Sequence, residues 1–237
     1  IFFKLIKKSD ILVENYRPGT MEKLGLGHKT LLKLNPRLIY ASCSGFGYTG
    51  PWNNKPAYDL IVQALGGIMS ITGAEGTEPI RVGSSIGDII AGLFTSIGIQ
   101  SALINRFKTK KGSFIDISML DCQIAILENA VSRYFAEKKI PLKLGSRHPS
   151  ICPFEAYKCK DDYIVIAAGN DSLFQKLCET IGSDLYKNKF FLNNSLRSKN
   201  ADLLKKYLEK IFILKNARIW IKNLEEAGVP VGKVNNI

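Results

Sequence analysis

Short apolar runs alternate along the chain with longer stretches whose apolar residues recur at helical spacing. Asp10 to Glu14 reads Asp-Ile-Leu-Val-Glu and breaks at Asn15-Tyr16-Arg17-Pro18-Gly19, which predicts a strand followed by a turn. The segment before it, Ile1 to Ser9, has the pattern of the close of a basic amphipathic helix. Met21 to Leu34 is helical in pattern, Pro36 stops it, and Leu38 to Ser44 forms a second strand of the buried type. A Gly-rich loop runs from Gly45 to Pro56, and Tyr58 to Met69 returns to helical spacing. Asp88 opens a long apolar helix that reaches Phe107 and is closed by the basic stretch Lys108 to Lys111 with Gly112. Phe114 to Ser118 is a third strand, and Leu120 to Ala136 another helix. Strands alternating with helices predict an α/β architecture with a mostly parallel sheet.

Beyond residue 137 the pattern changes. Lys138 to Pro149 is basic and turn-rich, which predicts a linker over 138–150. Glu155 to Lys158 and Tyr163 to Ala168 predict a hairpin across Lys160-Asp161-Asp162, followed by several helices: a smaller α+β domain over 151–237. With 46% hydrophobic and 23% charged residues the chain is globular rather than disordered. Apolar runs such as Ile89 to Ile99 are interrupted by Gly, Ser and Thr and fall short of the ~20 residues of a membrane span, so no membrane partner is expected. Five scattered Cys (43, 122, 152, 159, 178) form no CxxC, and only two His accompany them. This argues against a metal site and for structural thiols in a reducing compartment. The chain opens on Ile1 and stops soon after Gly-Val-Pro-Val-Gly, which reads as a fragment, with any targeting segment outside it.

Four features bear on chemistry. Gly45-Phe46-Gly47-Tyr48-Thr49-Gly50 matches G-x-G-x-x-G after a strand, but a dinucleotide fingerprint needs a helix to open there. Pro51, Trp52, Asn53, Asn54 and Pro56 follow instead, so an irregular binding loop is expected. Asp88, in Ser85-Ile86-Gly87-Asp88, reads either as the N-cap of the apolar helix or as a nucleophilic carboxylate. Composition does not choose between these, and Asp59, Asp116 and Asp121 are rivals with equally apolar flanks. The formal charge of +12 suits a nucleic-acid binder, a polyphosphate ligand or a solvated surface. The basic residues are spread out, the tight run Lys108, Lys110, Lys111 sits at a helix end, and no nucleic-acid module is present, so no nucleic acid is expected. Arg147 beside His148, in a polar loop, is a candidate pocket for a substrate carboxylate.

Several stretches taken together resemble one family: Asp10 to Gly19, Asn35-Pro-Arg-Leu-Ile-Tyr40, Ser44 to Pro51, Ala57-Tyr58-Asp59, Gly87-Asp88 and Lys110 to Ser118. They are similar to the family III CoA-transferases, a family that also holds the α-methylacyl-CoA racemases. Gly145 to Phe154 and Tyr163 to Asn170 resemble the succinyl-CoA:glutarate branch. The resemblance implies a Rossmann-like large domain with a parallel sheet, of which 1–137 is a part carrying the nucleophile, plus a smaller α+β domain. It implies an interlocked homodimer, coenzyme A as co-substrate, and neither a permanently bound cofactor nor a metal. Asp88 takes the nucleophile's place, and Asn15, Tyr16, Arg17, Lys23, Ala57, Tyr58 and Asp59 take those of the CoA contacts. A lysine that some members place just before Ala-Tyr is Pro56 here, with Lys55 one step earlier. The Gly-rich active-site loop of formyl-CoA transferases has no counterpart. The implied compartment is the mitochondrial matrix in a eukaryote and the cytoplasm otherwise.

The reaction implied is transfer of CoA from an acyl-CoA such as succinyl-CoA to a free acid such as glutarate. Asp88 attacks the thioester to give an aspartyl mixed anhydride, and the CoA thiolate then gives an aspartyl-CoA thioester that the acceptor acid attacks. This needs an ionised carboxylate, oxyanion donors and exclusion of water; backbone N–H groups near Gly66, Gly67 or Gly87 are the candidate donors. The racemase branch has a His where Tyr58 stands, and a tyrosine, with an ordinary pKa near ~10, is a poor proton acceptor at neutral pH. A basic, non-enzymatic binding protein is the alternative of a different class. It would need a clustered basic face or exposed aromatic platforms, which the sequence does not show.

Overall fold

The computed structural model describes all 237 residues, in two units, Ile1–Lys143 and Leu144–Ile237. The first unit is built on three short strands, β1 (Ile11–Glu14), β2 (Ile39–Ser44) and β3 (Ser113–Ser118), paired in parallel in the order β1-β2-β3. Around them lie α1 (Phe2–Ile6), α2 (Thr20–Lys23), α3 (His28–Leu34), α4 (Asp59–Leu65), α5 (Ile68–Ile71), α6 (Ile86–Thr109), α7 (Met119–Ala125) and α8 (Asn129–Glu137). The predicted α/β class and parallel sheet are thus present. β2 is the central strand, and its near-continuous burial matches an apolar run covered on both faces. One small core gathers Ile6, Met21, Leu31, Leu38 and Tyr40.

On the other face lies α6, the longest element. Its buried residues, Gly87, Ala91, Thr95, Ala102 and Arg106, share one stripe at helical spacing and are small except the last. Small residues let the helix lie close on β2 and β3, and Arg106 fixes its far end. That guanidinium donates to the carbonyls of Asp10 (3.3 Å) and Arg37 (2.9 Å) and pairs with the Asp10 carboxylate at 3.0 Å. The outward side of α6 carries exposed Ile89, Leu93, Ile97, Ile104 and Phe107. By length and composition this 24-residue helix could cross a membrane, which corrects the expectation that no apolar segment reaches that length. In this fold it is a layer of the α/β unit.

Three predicted helices prove to be pairs. Met21 to Leu34 is parted between α2 and α3, where Gly25 and Gly27 interrupt it, and Tyr58 to Met69 is parted at Gly67, whose φ of 87° no helix accommodates. Leu120 to Ala136 is parted before α8, at Glu128, with φ 49°. The glycine expected to close α6 has another task. The left-handed residue at the helix end is Lys110 (φ 61°), whereas Gly112 lies against the backbone of Arg37 and Leu38 just before β2, where an added Cβ would collide with the Leu38 carbonyl oxygen.

The second unit starts within the stretch read as a linker. Its antiparallel sheet has the order β4-β5-β6, from β4 (Phe154–Lys158), β5 (Tyr163–Ala167) and β6 (Val231–Lys233). The hairpin is the predicted one; β6 was not foreseen. The helices α9 (Asp171–Thr180), α10 (Asn194–Lys199), α11 (Ala201–Phe212) and α12 (Ala217–Glu226) complete it around one core that includes Tyr157, Phe174, Phe191, Phe212 and Trp220. Arg197, wholly buried, donates to the carbonyls of Cys152 and Phe191 and to Asp171 while lying over the Phe174 ring. All five cysteines are free.

Replacement of Gly112 by alanine is expected to lower stability by about 2–3 kcal/mol, since backbone must move to admit the methyl group. Gly92→Ala, with no atom within 4 Å of its Cβ position, should instead leave stability unchanged or raise it by up to ~1 kcal/mol. Urea midpoints of the two variants test the contrast.

Candidate active site

A cavity of about 870 Å³ opens in the first unit where β1 and β2 end, the usual place for a ligand in a parallel α/β sheet. β1 and the turn after it contribute Glu14, Asn15, Tyr16 and Arg17; β2 contributes Cys43 and Ser44; the loop before α4 contributes Lys55, Ala57 and Tyr58. The first turns of α6 close it with Asp88, Ala91, Gly92 and Thr95.

Asp88 is not the N-cap. That position belongs to Ser85, whose side chain makes no capping bond. The cap comes from a distant residue: the buried carboxylate of Asp59 accepts the Gly87 N–H at 2.8 Å through Oδ1 and the Gln63 Nε2 at 2.8 Å through Oδ2. Gln63 in turn accepts the Val82 N–H at 2.9 Å, which ties α4 to the segment leading into α6. Glycine at 87 leaves room for this bond, since a Cβ there would stand 3.0 Å from Asp59 Oδ1 and press on the capping carboxylate. The cap task thus falls to Asp59, and the Asp88 carboxylate is left on the cavity wall without a hydrogen bond. Asp88 is an exposed residue, and what desolvation its carboxylate undergoes, with the charge of Asp59 second, raises its pKa above the ordinary aspartate value.

The remaining predicted residues separate. Asn15, Tyr16, Arg17, Ala57 and Tyr58 join Asp88 around the cavity, and Tyr58 is 79% exposed. Lys55 lines it too, its ammonium 4.3 Å from the centre of the Trp52 ring, so the displaced lysine still reaches this wall. Lys23 lies on α2 and is not part of the lining, and Asp59 is behind the wall rather than on it. The rivals Asp116 and Asp121 lie by a second hollow of about 430 Å³ with Phe46 and Trp52, where Asp116 accepts the Tyr48 N–H within the Gly-rich loop. As expected, no helix starts in that loop.

Two readings are corrected. The N–H groups of Gly66, Gly67 and Gly87 are already given to Val62, Ala64 and Asp59, so none is free as an oxyanion donor. In the second unit, the Arg147 guanidinium expected to clamp a carboxylate is held by Glu155 at 3.2 Å and Asp202 at 2.8 Å. His148 accepts the N–H groups of Ser150 and Ile151 through Nδ1 and stacks on Phe154. Sequence reasoning missed Glu14 and Ser44, both 6% exposed and on the cavity wall, and Gln63. Gln63 had one signal, its place one helical turn after Asp59.

The site is thus a parallel α/β unit that presents an unpaired aspartate near a helix N-terminus, beside a cavity with basic and aromatic side chains. The family model described as CoA-transferase family III matches residues 1–237, and the chain belongs to that family. It is 45% identical over its full length to an acetyl-CoA:oxalate CoA-transferase of Acetobacter aceti, covering 61% of that protein. It is 37% identical over 99% of its length to the human succinyl-CoA:glutarate CoA-transferase, covering 55% of it. A CaiB/BaiF family protein from Brucella suis superposes on 99% of the chain with a TM-score of 0.87 and 38% identity, and 62% of that chain is covered. The chain thus spans a little over half the length of the curated relatives it matches.

Asp59→Asn should lower the Asp88 pKa toward the ordinary aspartate value, because a like charge is removed while burial is retained; carboxyl-detected NMR titration reads this directly. Arg147→Ala should destabilise the second unit by about 1–3 kcal/mol, since Glu155, 2% exposed, keeps only Lys205 as ionic partner. Thermal unfolding tests it.

Proposed function

We propose that this chain carries the nucleophile and part of the CoA site of an enzyme that moves CoA from an acyl-CoA to a free dicarboxylic acid, with Asp88 forming the aspartyl-CoA intermediate. The observation that carries this reading is the Asp88 carboxylate, left unbonded on the cavity wall by a cap that Asp59 supplies in its place. An aspartate kept only for capping would have spent its oxygens on backbone N–H groups.

The cavity suits an extended, polar-ended ligand of CoA type. Its volume lies within the range of small-molecule sites, and Arg17 and Lys55 supply positive charge for phosphates or carboxylates. The dicarboxylate preference rests on the relatives named for oxalate and glutarate, with Arg17 and Lys55 rather than Arg147 as the cations at hand. The exposed apolar side of α6, Ile89 through Phe107, supports pairing with a second copy.

In the full-length protein, CoA transfer from succinyl-CoA or acetyl-CoA should favour oxalate or glutarate over butyrate by tenfold or more. Asp88→Asn should lower turnover by about three orders of magnitude or more, the scale of losing a covalent nucleophile. The fold should survive. Native Asp88 binds its proton more tightly than the unfolded chain does, so stability falls as pH rises through that window, and at neutral pH the Asn variant should be at least as stable as wild type. Wild-type turnover in Asp88→Asn would overturn the assignment. The acid limb of the wild-type pH–rate profile should lie above the ordinary aspartate value and move down in Asp59→Asn.

A further inference from the structure

β1 ends at the cavity, but its last side chain turns away from it. Successive side chains of a strand point to opposite faces of the sheet. Glu14 pairs in register with Ser42, two residues beyond Tyr40 on β2. Its side chain therefore lies on the Tyr40 face, opposite α6 and Asp88, and the residue is buried there. Through Oε2 it accepts the N–H of Tyr16, two residues on, at 2.8 Å. Oε1 is buried without a partner, and Glu14 takes part in no ion pair.

A carboxylate buried without a cation costs stability, because it has left water and recovered little in return. An apolar side chain of the same length would fill this place with less penalty, so packing does not account for a glutamate here. What the carboxylate does hold is the turn. Asn15, Tyr16 and Arg17 are exposed and line the cavity together with Asp88. Where the turn ends, the Thr20 N–H donates to the Arg17 carbonyl at 3.0 Å, and Gly19 takes a φ of 85° as the chain enters α2. Backbone thus secures the turn at Arg17, and the Glu14 side chain secures it at Tyr16.

We propose, resting on the function proposed above, that Glu14 is a positioning residue for the acyl-CoA: from behind the sheet it pins the Tyr16 N–H and so sets how Asn15, Tyr16 and Arg17 meet the ligand. A turn already held in its bound shape loses less freedom when the ligand arrives. α6, which carries Asp88, is secured separately by Asp59 and Arg106. Loss of the pin therefore weakens binding of the acyl-CoA and spares the step at Asp88.

Two substitutions in the full-length protein separate the hydrogen bond from the charge. Glu14→Gln removes the charge and keeps an acceptor oxygen, whereas Glu14→Met removes both and nearly keeps the shape. The measurements are transfer kinetics with succinyl-CoA or acetyl-CoA, calorimetric binding of desulfo-CoA, and deuterium exchange of the peptide holding residues 15–17 in the free protein. In Glu14→Met, KM for the acyl-CoA and Kd of desulfo-CoA should rise about fivefold or more, with kcat within about twofold of wild type. Exchange at 15–17 should quicken, and the melting temperature should not fall, since a buried unpaired charge is gone. Glu14→Gln should restore both the binding and the slow exchange. A Met variant that binds desulfo-CoA as tightly as wild type overturns the proposal. So does a Gln variant as impaired as the Met one, or a loss of kcat with KM unchanged; in each of these outcomes the functional reading stands. If wild type itself does not bind desulfo-CoA, the cavity is not a CoA site, and the functional reading falls together with the inference.

Discussion

The hydrogen bond from the Gly87 N–H to the Asp59 carboxylate is the contact on which the site depends. A helix N-terminus leaves donors unpaired, and α6 meets this need with a carboxylate from another helix rather than with its own Ser85 or Asp88. Asp59 reaches Gly87 because residue 87 has no Cβ and because Gln63, bound to the other oxygen and to the Val82 N–H, fixes the distance between α4 and the start of α6. The Gly-Asp pair is thus one device: the glycine admits the cap, and the cap releases the aspartate.

The same arrangement has an electrostatic cost. Some desolvation of the exposed Asp88 carboxylate, and secondarily the nearby charge of Asp59, move its pKa up. The helix N-terminus acts in the opposite direction.

Much of this was legible in the sequence, unevenly and for physical reasons. The alternation of apolar runs with helical spacing disclosed β1, β2, β3 and α6, because those patterns follow directly from which face is buried. The failure of the Gly45–Gly50 motif to open a helix could be read from the prolines after it. The break before α8 could not, since Glu128 takes its positive φ with no glycine or proline to announce it. Nor could β6, three residues whose pairing with β5 is purely long-range. Around the site, a local motif offered Asp88 as one of two readings and the family resemblance supplied Asn15–Arg17, but the capping role of Asp59 arises from tertiary neighbours. Arg147 shows the same limit in reverse: an arginine beside a histidine looks like an open clamp until Glu155 and Asp202 are seen to fill it.

α6 is held at both ends, by Asp59 at the first turn and by Arg106 at the last, with a flat stripe of small residues on the sheet between them. Mechanically it is a beam clamped at two supports, with little freedom to slide or roll. The opposite wall is different: Asn15–Pro18 and Asn53–Tyr58 are loop segments with exposed side chains and few ties of their own. Under the proposed function, the nucleophile and the surfaces that would select its partner therefore sit on parts of unequal stiffness. Insertions and substitutions in the loops can reshape what enters without displacing the aspartate. A family built on this frame can change its acids by editing one wall while the beam stays where it is.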